Sequence, residues 1–195
     1  GIPMTKDDET KLTILDMAIQ LFSEKGYESV TVQEVCDYSK ITKPTVYYYF
    51  HSKAGLLQAI ADIMGQEFLN TITNAAEYVH DFPLSLTKIL KAEMDFAQAN
   101  KNFFRLHASL LNAPRASEAG TTYISLIEKL DKILLEFFQN STNEIGNMKG
   151  KEKLYATLFQ NNVTSVIINV LNGGLKLDDQ TTHQIIHSFM YGVVA

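Results

Sequence analysis

Apolar and polar residues alternate with a helical period almost from end to end of the chain. Ile14, Leu15, Ala18, Leu21 and Phe22 recur at spacings of three and four and form one stripe of a helix predicted over about 10–25. Gly26 follows the stripe and suits a left-handed cap. Thr31-Val32-Gln33-Glu34 is a capping box that opens a short helix over 32–38, with Val32, Val35 and Cys36 inward. Ser39-Lys40-Ile41 makes a tight connection. Thr42 then caps a further helix with Pro44 in its first turn, where a missing N–H costs nothing. The run Tyr47-Tyr48-Tyr49-Phe50 therefore lies on a helix rather than a strand. Val46 and Phe50 share its inner face, Tyr49 is half covered, and Lys43, Pro44, Tyr47 and Tyr48 point outward. The next helix runs from 52 or 53 to about 73, with Leu56, Leu57, Ile60, Ile63, Met64 and Phe68 as its apolar positions.

Beyond residue 80 the predicted helices lengthen, over 84–99, 102–113, 118–141, 151–173 and 178–195. Asp81, Pro83, Asn100, Pro114, Gly120 and Gly173-Gly174 punctuate them. No stretch alternates with period two between hairpin turns. The expected fold class is all-α: a three-helix helix-turn-helix domain over 4–52 and a larger helical domain over 53–195.

Composition changes this picture little. The 195 residues are 46% apolar and 20% charged, ordinary values for a soluble globular chain. A single cysteine, Cys36, rules out an internal disulfide and makes a reducing cytoplasm the expected location. The polar, acidic N-terminus is unlike a signal peptide, and Gly1–Pro3 ahead of Met4 read as an expression remnant. No apolar run approaches the roughly 18 residues that span a bilayer, so no membrane partner is expected. The net charge of −5 argues weakly against nucleic acid. Charge is unevenly placed, however: no acidic residue lies between Asp37 and Asp62, where Lys40, Lys43, His51 and Lys53 fall.

Three short helices, the second and third joined by a tight turn, suit insertion of the third into a DNA major groove. Lys43 is placed to reach a guanine edge or a phosphate. The N-terminus of its helix attracts phosphate through N–H groups and dipole. Pro44 offers an apolar touch to a thymine methyl, and Thr45, Tyr47 and Tyr49 offer hydroxyls. Residues 11–60 resemble the DNA-binding domain of the TetR family of bacterial transcriptional regulators. The resemblance rests on Leu21-Phe22 with Gly26, on Thr31 to Cys36, and on the run Thr42 to Lys53 followed by Leu56. It implies phosphate contacts for Tyr47 and Lys53, variable contact positions for Thr42, Lys43, Thr45 and Tyr48, and core roles for Val46 and Phe50. With Thr31, Pro44, Tyr49 and His51 these complete the candidate DNA-contacting set. Two positions depart from the family pattern: Lys40 and Pro44 stand where glycine is frequent. Lys40 must then either accept an unusual backbone angle or adjust the turn slightly.

The resemblance further implies that residues 80–195 form a dimer and hold a ligand pocket. Glu93, His107, Tyr123 and Asn162 are polar groups on otherwise apolar stripes, and Phe96, Phe103, Ile127 and Phe159 are their apolar companions in a candidate effector site. Each polar group has a plain alternative, a satisfied core pair. Arg105 reads as solvated. Ile167, Val170, Leu171, Ile185, Ile186, Phe189, Met190, Val193 and Val194 exceed what one small core needs and are the candidate homodimer surface.

His183 and His187 are four apart, a spacing that can share a metal, but residue 184 is Gln and no third ligand stands out, so no metal or cofactor is expected. No Gly-rich phosphate loop, Gly-x-Ser-x-Gly or Cys-x-x-Cys occurs, and the chain is not expected to be an enzyme. The leading reading is a dimeric repressor that a small hydrophobic effector releases from a double-stranded DNA operator. Two others stay open: a DNA-binding factor without a small-molecule effector, and a helical ligand-binding protein whose helix-turn-helix is only scaffold.

Overall fold

A computed structural model describes residues 1–193. The described residues are helical with no strand, as expected for an all-α chain. The helices are α1 (Lys6–Lys25), α2 (Val32–Ser39), α3 (Lys43–Phe50), α4 (Lys53–Ile60), α5 (Gln66–Ala75), α6 (Phe82–Ala99), α7 (Lys101–Leu110), α8 (Glu118–Ser141), α9 (Glu152–Leu171) and α10 (Asp179–Val193). Two compact units result: residues 1–66 with 102–126, and residues 67–101 with 127 onward.

In the first unit α1 starts four residues before its predicted position, at Lys6 rather than 10. The Thr5 hydroxyl accepts from the Asp8 N–H at 3.1 Å, and the Asp8 carboxylate accepts from the Thr5 N–H at 3.2 Å. Asp7, Asp8 and Glu9 sit in the first turn, where the helix dipole favours negative charge. Helix α1 packs on α2 and α4, and α3 packs on α2 and α4. Ile14, Ala18, Phe22, Val35, Val46, Leu56 and Ile60 close the core between them. At eight residues each, α2, α3 and α4 are too short to persist alone and depend on this burial. Lys40 ends α2 in the left-handed region, at φ 59 and ψ 31, and its N–H donates to the Cys36 carbonyl. Helix α7 and the first turns of α8 bury Phe103, Phe104, Leu106, His107 and Tyr123 in the same unit. Arg105, expected in solvent, is half-buried.

The helix expected over 52–73 is not regular. Residues Ala61–Gly65 form a wider π-helical turn between α4 and α5. The wide turn inserts a residue and rotates the rest of the helix about its axis. Ala61 and Gly65 therefore face inward, while Ile63, expected in the core, is 43% exposed. Gly65 lies against Leu126; a Cβ there would stand 2.7 Å from Leu126 Cδ2.

In the second unit α6 packs on α9 and α10. Phe138 sits at the centre of an aromatic cluster, edge-on to Phe82 at 5.9 Å, to Phe137 at 5.4 Å and to Phe189 at 6.3 Å. The buried stripe of α9 is Ala156, Phe159, Gln160, Val163 and Ile167. This corrects the place expected for Asn162: that residue is exposed, while Gln160 takes the buried polar place. Within the candidate dimer surface, Ile167, Ile186 and Phe189 are buried in the unit's own core. Val170, Leu171, Ile185 and Met190 are half-buried. The side chain of Val193 and the whole of Val194 lie outside the described residues.

A side chain in the left-handed region is strained, and glycine relieves that strain at a smaller entropic cost. Lys40→Gly is expected to stabilise the chain by roughly 0.5 kcal/mol, read as a rise of about 2 °C in the thermal midpoint.

Candidate nucleic-acid interface

Helix α3 buries only Val46 and Phe50. That choice turns the rest of its eight residues outward. Tyr48 is 75% exposed and Tyr47 is 40% exposed, while Lys43 and Pro44 are exposed beside them. The Lys43 ammonium lies 5.8 Å from the centre of the Tyr47 ring, so cation and aromatic face form one surface. Thr42 has the extended conformation of a cap but no capping hydrogen bond from its side chain. Its hydroxyl instead meets that of Thr45 at 3.0 Å. Exposed Thr31 caps α2 by accepting from the Glu34 N–H at 3.1 Å. The Glu34 carboxylate also holds Lys25 at 2.7 Å, and that hydrogen bond lowers its pKa.

Tyr49 has a different place from its neighbours. Its hydroxyl donates to Asp7 at 3.0 Å, and its ring carries Lys11 at 5.3 Å. The Asp7 hydrogen bond is the main reason its pKa is raised. Tyr49 thus ties α3 to α1 rather than standing free for phosphate. His51 closes α3 at φ 69, exposed, with its N–H donating to the Tyr47 carbonyl at 2.9 Å. Ser52 caps α4 by accepting from the Gly55 N–H at 2.9 Å. Only glycine fits at 55, because a Cβ would lie 1.7 Å from the Phe50 carbonyl oxygen. Lys53, first residue of α4, rests 4.3 Å above the Tyr27 ring and donates to the Glu28 carbonyl at 3.4 Å. Sequence reasoning missed Tyr27 and Gly55. Gly55 carries no pattern of its own, and Tyr27 announces itself only by its place directly after the capping glycine.

The candidate effector residues divide between the two units, Phe103, His107 and Tyr123 in the first and Glu93, Phe96, Ile127, Phe159 and Asn162 in the second. Glu93 pairs with Gln160 rather than Asn162: the Gln160 amide donates to Glu93 Oε1 at 2.7 Å in the second unit. Both are buried, and neither Glu93 Oε2 nor Gln160 Oε1 has a hydrogen-bond partner among the described residues. Burial raises the Glu93 pKa to about 8, against the lowering effect of the Gln160 hydrogen bond. Phe96 meets Phe68 at 5.0 Å with the rings tilted, and Phe159 meets Phe189 at 5.3 Å. In the first unit Tyr123 OH and His107 Nδ1 share a hydrogen bond of 2.7 Å, with Phe103 and Phe104 against the imidazole. Burial lowers the His107 pKa to about 4 and raises that of Tyr123. Ile127 is half-buried. The signal for Gln160 is present in the 156, 159, 160, 163, 167 spacing.

Residues 14–60 match the model of the bacterial regulatory proteins of the tetR family. Over 131 residues the chain is 27% identical to the HTH-type negative transcriptional regulator IcaR of the biofilm operon icaADBC from Staphylococcus aureus, covering 66% of this chain and 69% of IcaR. A TetR-like transcriptional regulator from Rhodococcus sp. RHA1 superposes with a TM-score of 0.74 at 18% identity, covering 93% of each chain. The fatty acid degradation regulator FadR from Bacillus halodurans does so with a TM-score of 0.73 at 17% identity, covering 94% of this chain and 98% of its own. The solved structures establish a shared fold.

The two buried polar pairs impose opposite pH dependences. Glu93 has a folded pKa of about 8 against an ordinary 4.5, so its contribution is most favourable below pH 4.5 and declines as pH rises towards 8. His107 has a folded pKa of about 4 against an ordinary 6.5, so its contribution is intact above pH 6.5 and declines as pH falls towards 4. Between pH 6.5 and 8 Glu93 acts alone of the two. Glu93→Gln is expected to flatten the fall in thermal midpoint across that window and to stabilise the chain by a few kcal/mol, as an order of magnitude, at its upper end. Thermal melts in a pH series on both proteins make the comparison; parallel curves would show that Glu93 ionises freely.

Proposed function

We propose that this chain, a DNA-binding transcriptional regulator of the TetR family, is a cytoplasmic homodimeric repressor that a small hydrophobic molecule releases from a double-stranded operator. The observation that carries the DNA-reading part is α3 itself: eight residues of which Val46 and Phe50 are buried, with Lys43, Pro44, Tyr47 and Tyr48 outward in a window free of acidic residues. Lys43 and Tyr48 read base edges, Tyr47 and Lys53 hold phosphates, and Thr31, Thr42, Thr45 and His51 border them. In a dimer two such helices enter successive major grooves about 34 Å apart. The negative regulator IcaR, similar over two thirds of this chain, supports repression.

The remaining assignments belong to the same reading. Residues 4–52 serve as the reading head and 53–195 as the effector and dimer half. The last two helices form the dimer contact; Leu154, Leu158 and Tyr191 are exposed apolar groups on them. In the second unit, Glu93 and Gln160 present two polar oxygens without partners among the described residues, beside Phe96 and Phe159 on the same helices, which suits an apolar effector carrying one hydrogen-bonding group. The effector shifts the equilibrium between two states only through its differential affinity for them.

Fluorescence anisotropy with the duplex upstream of the chain's own gene, against a scrambled duplex at two salt concentrations, tests the reading. Selective binding with a moderate salt slope is expected. The Lys43→Ala, Tyr48→Ala double variant should lose roughly tenfold or more in affinity while its stability stays within about 0.5 kcal/mol, since both side chains are exposed. Specific binding retained in that variant would remove α3 from the reading role. A thermal-shift screen of hydrophobic compounds should find a stabilising effector that also lowers the anisotropy.

A further inference from the structure

Lys53 is held from behind, and the hold reaches α8. Tyr27 opens a short turn after Gly26, at the end of α1, and is only 5% exposed. Its ring packs on Phe22 at 5.0 Å. The Lys53 ammonium rests over its face at 4.3 Å. Its hydroxyl donates to Glu118 Oε1 at 2.5 Å, ninety-one residues along the chain and in the same compact unit. Burial first, and then the Glu118 hydrogen bond and charge, keep the phenol protonated. Glu118 is the first residue of α8, and the structure holds that turn closely. Gly120 leaves no room for a Cβ, which would lie 2.0 Å from the Pro114 carbonyl oxygen. One turn further on, Tyr123 is bonded to His107 of α7.

These contacts form a chain with a direction. A phenol that donates to a carboxylate has a more electron-rich ring, and an electron-rich ring attracts a cation more strongly. The same hydrogen bond fixes the ring's orientation. We infer that Tyr27 and Glu118 are positioning residues for DNA binding, holding the Lys53 ammonium where a phosphate meets it, so that the seating of the first turn of α8 sets operator affinity. This rests on the proposed phosphate contact of Lys53. A simple charge effect has the opposite sign: removing an anion near DNA tightens binding.

The test uses full-length protein and a duplex selected by the wild-type protein from a random pool, with affinity read by anisotropy across a salt series. Tyr27→Phe keeps the ring and loses the hydroxyl; Glu118→Gln keeps the shape and loses the charge. Each is expected to weaken binding, Tyr27→Phe by about three- to tenfold. Lys53→Ala should weaken binding and reduce the salt slope by about one. The Tyr27→Phe, Lys53→Ala double variant should bind no more weakly than Lys53→Ala alone, because the phenol acts only through the lysine. A merely structural Tyr27 would instead lower the melting temperature and multiply its loss onto that of Lys53→Ala, and that outcome overturns the inference. So does a Glu118→Gln variant that binds more tightly than wild type. If Lys53→Ala itself binds as wild type with the same salt slope, the phosphate contact fails and the inference falls with it. If Lys53→Ala is weakened while Tyr27→Phe and Glu118→Gln match wild type, only the positioning role falls.

Discussion

Burial of Val46 and Phe50 is the constraint on which the exposed face of α3 depends. An eight-residue helix has too few hydrogen bonds to offset its own nucleation cost, so α3 exists because these two side chains are taken into the core with Val35, Leu56 and Ile14. The two lie four apart, on one face. Once they are inside, helical geometry sends Tyr48 to the opposite side and leaves Tyr47 and Tyr49 on the two flanks. The tyrosine run is therefore a consequence of the core beneath it. Tyr49, at the boundary, acts as a tether through Asp7.

Around that constraint the chain uses backbone conformations that most residues avoid. Lys40 and His51 both have positive φ, and they stand at the two ends of the segment that contains α3. Each lets a helix stop abruptly so that the next begins at a new angle. Gly55 belongs to the same arrangement, since α4 starts almost in contact with the Phe50 carbonyl. A short helix between tight turns is held more rigidly than one on long loops, which fixes the spacing of its exposed side chains.

The second unit manages polarity differently. Its core is built on Phe138 and its aromatic neighbours, yet it encloses a carboxyl and an amide. A buried carboxyl without a cationic partner stays protonated near neutral pH. Retaining such a group costs stability that an apolar residue would not, and this cost is the physical ground for reading the Glu93–Gln160 pair as an effector contact. His107 and Tyr123 carry a similar load in the first unit, where one hydrogen bond links the two side chains.

Much of this was legible without coordinates. Helical periodicity, the Thr31 cap and the Lys40 turn located α2 and α3 to within a residue, and the spacing of Val46 and Phe50 predicted which tyrosines face water. These are local properties, governed by hydrogen bonds and side-chain spacing within one or two turns. Three features were decided by tertiary structure. The π turn at Ala61–Gly65 leaves Ile63 exposed and Gly65 against Leu126, a residue distant in sequence. Gln160 replaced Asn162 inside α9, because Glu93 lies on a separate helix and no pattern along α9 records its position. Tyr27 found Glu118 ninety-one residues away. Periodicity within a helix states which residues prefer burial; only the packing of helices against one another determines which of two overlapping stripes is buried and which polar groups meet there.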